Sequence, residues 1–174
     1  RQWGAPDEFA HLGEHALPRD ASGKQWQPNL LNYYDRQLWC VWSFNSGDAD
    51  LEGLYLSTLE KGAGSWRHRR IRRRQDVDGL PCEIFATQNP VLLSSGRVLA
   101  PVTLIGRFPA ARADRRKATP IRRWNACFFT DDDGATWECS DLVDSVWDGA
   151  SQWEPFFHEQ GDGRKIGRAS CRGR

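Results

Sequence analysis

The chain has 174 residues, enough for one ordinary domain with a real core, and its 24 basic and 23 acidic side chains nearly cancel. That balance argues against a general nucleic-acid or polyanion binder, whose affinity depends on excess positive charge. Hydrophobic residues make up 39% of the sequence, yet no run approaches the length that spans a bilayer.

The absence of methionine and the start at Arg1 are what a piece of a longer protein would show, and they leave the compartment open. Cys40, Cys82, Cys127, Cys139 and Cys171 form no CxxC pair or other zinc-ligand spacing, so no metal or other cofactor is expected. Structural apolar thiols are one reading. The other is a disulfide between Cys127 and Cys139, which lie symmetrically about Asp133 and can face each other across a hairpin in an oxidising compartment.

Residues 1–24 mix Gly, Pro, His and acidic residues without a period. His11 and His15 have i, i+4 spacing, but Gly13 and Pro18 cut any helix short, which favours two solvated loop histidines over a metal pair. From Trp26 a unit recurs: Trp26-Gln27-Pro28, then Gln88-Asn89-Pro90, then Trp153-Glu154-Pro155, each followed by apolar residues. The spacing is about 60 residues, the signature of a repeat architecture.

In the first copy, strands are expected over residues 26–31, 38–43 and 53–58, with a fourth overlapping the arginine-rich run 67–74. That run suits either an acidic partner or an exposed outer strand whose charges discourage edge-to-edge pairing. The second copy gives strands over 88–93, 98–105, 124–129 and 138–143, interrupted by an arginine-bearing insertion over 106–123. Four antiparallel strands repeated at this period predict an all-β fold, a partial β-propeller of four-stranded antiparallel blades, rather than a sandwich.

Between the last two strands lies Thr130-Asp131-Asp132-Asp133-Gly134-Ala135-Thr136-Trp137. Gly134 supplies the positive φ of a tight reversal, Asp132 can accept from the turn's own amides, and Trp137 leaves carrying an indole that needs burial. Thr130, Asp132, Gly134, Thr136 and Trp137 resemble the Asp-box, or BNR repeat, of sialidases and related propellers. The resemblance implies a structural turn between the third and fourth strands of a blade, away from the active face, in a propeller six-bladed when complete. It also implies a secreted or periplasmic setting. Ser57 to Trp66 resembles a degenerate copy lacking the aspartate. On this reading residues 1–164 are an incomplete propeller. Residues 165–174, where the apolar pattern stops, are similar to a non-native read-through tail.

Strand parity places the entries to the first strands and the loops between second and third strands on one face. Gln27, Asn89 and Glu154 would then converge on one opening beside Trp26 and Trp153. Amides, a carboxylate and indoles suit a sugar, whose hydroxyls need polar partners and whose rings stack on aromatics. Residues that precede a proline can equally serve to end a strand. A carboxylate between Trp153 and Pro155 would be partly desolvated, making Glu154 a catalytic candidate.

The resemblance to sialidases implies that Glu154 corresponds to the glutamate that pairs with a nucleophilic tyrosine, for which no tyrosine here can be matched. It likewise implies that Asp48 or Asp50 occupies the position of the acid/base aspartate. Arg107 joins Gln27, Asn89, Trp26 and Trp153 as a substrate-binding candidate. The function so implied is a sialidase-like glycoside hydrolase with a glycan or glycoconjugate as partner, no nucleic acid and no membrane span. The alternatives are a non-catalytic glycan- or protein-binding propeller and a polysaccharide lyase using Arg107 or His158.

Overall fold

A computed structural model of the chain describes residues 23–77, 79–107, 121–144, 146–147, 150–161 and 165–171. The fold is all-β, with its strands in a curled, nearly closed array. The strands are β1 (Lys24–Tyr33), β2 (Gln37–Asn45), β3 (Gly53–Glu60), β4 (Arg67–Arg73), β5 (Gln75–Val77), β6 (Leu80–Ala86), β7 (Val91–Leu92), β8 (Val98–Arg107), β9 (Ile121–Thr130), β10 (Glu138–Cys139), β11 (Val143–Asp144), β12 (Val146–Trp147), β13 (Ala150–Glu159) and β14 (Lys165–Cys171).

The first sheet is an antiparallel meander in the order β1-β2-β3-β4. The second runs β10-β9-β8-β6-β5, with β7 also on β8 and β11 also on β9. β6 and β7 therefore act as one interrupted strand along β8, and β10 and β11 as another along β9. The third sheet is β12-β13-β14, so residues 165–171, set aside above as a tail, form the strand that pairs with β13. The four strands of the first copy fall where expected. In the second copy the strand expected over 88–93 starts earlier, at Leu80, and is broken at Asn89-Pro90.

The three recurring prolines share one structural consequence. The register of β1 on β2 shifts between Trp26 and Asn29, and that of β13 on β14 shifts between Trp153 and Pro155. In the second sheet the break between β6 and β7 spans Asn89-Pro90. Proline has no N–H to give the ladder, so a proline within a paired strand is confined to bulges and interruptions.

The core lies between the first two sheets. Trp39, Val41, Leu54 and Leu56 from the first meet Ile84, Val102, Leu104, Trp124 and Phe128 from the second. Alternate residues of β2 point the other way, and Cys40, Trp42 and Phe44 pack with Tyr55 on the opposite face. β2 is thus buried on both sides, which explains its near-continuous apolar run.

Cys40, Cys82, Cys127 and Cys139 are free thiols. The expected Cys127–Cys139 bridge fails on register: Cys139 pairs with Phe128, while Cys127 exchanges backbone and side-chain bonds with Ser140. One residue of offset puts the two thiols on opposite faces of the sheet.

Candidate functional site

The antiparallel registers define two ends. At one, the 46–52 loop joins β2 to β3 beside the start of β1 and the end of β4. At the other lie the turn 34–36, the turn 61–66, the turn 93–97 and the turn 131–137.

The 46–52 loop is organised around a residue with no periodic signal in the sequence, Glu52. Its carboxylate is 1% exposed and accepts from the amides of Ser46, at 3.0 Å, and Gly47. Its other oxygen takes Arg74 Nη1 at 2.9 Å. A buried carboxylate needs such partners, and here they tie the loop to the end of the outer strand. Arg70 adds a bond to the Asp50 carbonyl.

Asp48 and Asp50 both ride this loop, exposed to solvent. They differ in what they do. Asp48 Oδ1 accepts from the Asp50 amide at 2.9 Å, and the Asp48 carbonyl accepts from Leu51 and Glu52, so Asp48 builds the turn. The Asp50 carboxylate makes no hydrogen bond among the described residues.

The remaining candidates are placed unequally. Trp26 and Gln27 lie in β1, Trp153 and Glu154 in β13 and Arg107 at the end of β8, all with side chains outside the described set. The convergence expected of Gln27, Asn89 and Glu154 therefore falls outside what is described, as do His11, His15 and residues 108–120. Asn89 sits in the break between β6 and β7 rather than at a strand entry, and its Oδ1 accepts from the Leu30 amide of β1 at 3.0 Å. It links two sheets. His158 is exposed on β13. Among the described residues no cluster of three His, Cys, Asp or Glu could hold a metal ion, and no helix is long and apolar enough to cross a membrane.

The opposite end is closed by the turn over residues 130–137. Thr130 Oγ1 donates to Asp132 Oδ1 at 2.7 Å and accepts from the Gly134 amide at 3.0 Å. Asp132 in turn takes the Thr136 amide at 2.8 Å and the Thr136 hydroxyl at 2.6 Å. Those bonds, the Thr136 hydroxyl first, hold the Asp132 carboxyl down to about 2. Asp133 and Gly134 take positive φ, and Trp137 Nε1 caps the Gly134 carbonyl at 3.0 Å.

This turn is also a joint. The Tyr33 hydroxyl of the first sheet donates to Asp133, and burial, followed by that bond, raises the phenol above its ordinary range. Tyr33 stacks on Trp39 with ring centres 4.2 Å apart, and Trp39 meets Trp137 at 6.4 Å. Arg97 clamps Asp131 through two bonds of 2.7 and 2.6 Å. The segment from Ser57 to Trp66 behaves otherwise. Ser57 is buried within β3, where its Oγ accepts from Trp42 Nε1 at 2.8 Å and bonds His68 Nδ1.

Neither family models nor curated proteins gave a match to the chain.

Proposed function

We propose that the sheets are successive four-stranded blades of a sialidase-like Asp-box β-propeller, and that the protein is a glycoside hydrolase acting on glycans at the end bearing the 46–52 loop. The reading is carried by the division of labour between the two ends. The Asp-box turn is spent on joining sheets, whereas Glu52 holds a solvent-facing loop rigid at the other end and leaves the Asp50 carboxyl uncommitted. Support also comes from the proline breaks shared by all three first strands.

In this reading Asp50 is the acid/base residue. It protonates the glycosidic oxygen as the bond from the anomeric carbon breaks, and a water that gives its proton to the Glu154 carboxylate bonds to the anomeric carbon. Trp26 and Trp153 stack on sugar rings, while Gln27 and Arg107 bond hydroxyl or carboxylate groups, and Asn89 is left to its bond with the Leu30 amide. Asp48 shapes the turn.

The test is turnover of aryl sialosides and other aryl glycosides by the full-length protein. Release of the aryl alcohol, reduced on the order of 100-fold or more in Asp50→Asn at unchanged stability, is expected. Full activity in Asp50→Asn, or no release from any glycoside, would overturn the hydrolase assignment. A second reading, glycan binding without catalysis, is favoured by the use of Asp48 as a turn residue. It predicts saturable glycan binding with no product, whereas an ultraviolet-absorbing unsaturated product would indicate a lyase.

A further inference from the structure

Four arginines in and just after β4 are used in two ways. Toward the 46–52 loop, Arg70 is bonded to the Asp50 carbonyl and Arg74 to Glu52, so both are consumed by the fold. At the other end of the strand, Arg67 and Arg69 line a cleft of about 340 Å³ with Gln37, Thr58, His68 and Asp133.

The donors in this cleft outnumber the acceptors. Arg69 is half-buried, with Nη2 packed over the Gly134 turn, and among the described residues its guanidinium has no hydrogen-bond or ion-pair partner. Arg67 reaches only a 3.9 Å pair with Glu60, both well exposed. Gln37 Oε1 is taken by Trp39 Nε1 at 2.8 Å, which leaves the amide NH2 as the group it can offer. Thr58 adds a hydroxyl. His68 also borders the cleft but turns its Nδ1 to Ser57, and the single carboxylate, Asp133, already accepts the Tyr33 hydroxyl.

Two guanidinium forks with an amide and a hydroxyl beside them match the charge and oxygen geometry of a tetrahedral oxyanion. We propose that this cleft, between β4 and the Asp-box turn, binds a sulfate or phosphate group, either as a free ion or as a substituent on a sugar. It lies at the opposite end of the sheets from the 46–52 loop and does not rest on the hydrolase reading.

The test is calorimetric titration of the full chain with sodium sulfate, sodium phosphate and a sulfated disaccharide, at ionic strength held constant with sodium chloride. The unsulfated disaccharide is the control. Saturable binding of at least one oxyanion is expected, weakened about tenfold by Arg67→Gln and lost in Arg69→Gln. Tighter binding of the sulfated sugar than of sulfate identifies a substituent as the source, and equal binding identifies the free ion. Heats that never saturate, or binding unchanged in Arg67→Gln, would overturn the proposal. Arg67 is exposed, so its substitution decides the matter even if Arg69→Gln fails to fold.

Discussion

Replacing Glu52 by alanine is the most informative single perturbation of this fold. The substitution strips the acceptor from two loop amides and leaves the Arg74 guanidinium, whose side chain is 24% exposed, without its 2.9 Å partner. Removing one member of a buried ion pair costs about 3–5 kcal/mol, because the charge left behind is uncompensated. Arg74→Ala leaves the carboxylate still bonded to two amides, so its cost should be smaller, about 1–3 kcal/mol. Urea unfolding of the three proteins gives these differences from the midpoints, and amide hydrogen exchange reports the loop directly. Ser46 and Gly47 should lose protection in Glu52→Ala and keep most of it in Arg74→Ala. A loss below about 1 kcal/mol in Glu52→Ala, with both amides still protected, would refute the claim that this carboxylate organises the loop.

Three further outcomes are expected. Gly134→Ala should destabilise by about 2–4 kcal/mol in thermal unfolding, since the residue has φ +83° and an added Cβ would meet Trp39 at 3.0 Å and Leu56 at 3.3 Å; a neutral result would contradict that packing. Because bonding lowers the Asp132 carboxyl to about 2, its contribution to stability is complete above the ordinary carboxylate value of about 3.9 and disappears as pH falls toward 2. The difference in unfolding midpoint between the native chain and Asp132→Ala should therefore shrink across that window, and a constant difference would argue against it. Burial pushes the thiols of Cys40 and Cys127 up to about 12, so in the folded protein a thiol reagent at pH 8 should reach the half-buried Cys139 well before either. Equal rates for all three would count against the burial described.

Much of this architecture is legible in the residues. Apolar and aromatic runs mark β1 to β3, β8, β9 and β13, and the 130–137 turn follows from the spacing of Thr130, Asp132, Gly134 and Thr136. What the pattern conceals is pairing. The offset that separates Cys127 from Cys139 is set by how β10 meets β9, and a symmetric spacing about the turn carries no information on it. The start at Leu80 of the strand expected over 88–93 is hidden because Pro81 and Glu83 interrupt its apolar residues. At the candidate site, Asp48 and Asp50 were recognisable as loop carboxylates. The residue that holds them, Glu52, looks like any surface glutamate until its partner Arg74 is brought beside it from the far end of β4. Asn89 could be read as polar but not as the acceptor for a backbone amide 59 residues earlier.

The contact between Tyr33 and Asp133 joins residues 100 positions apart, and it bears on how the chain reaches its native state. The second sheet's turn is completed by aromatic residues supplied by the first, so neither can finish maturing while its neighbour is still forming. Such distant closure slows folding, because the entropy of a long loop is lost before the contact rewards it. Severing the chain between β4 and β6 would strand Tyr33 and Trp39 in water on one piece and Trp137 on the other, and the two pieces should recover native fluorescence only when mixed.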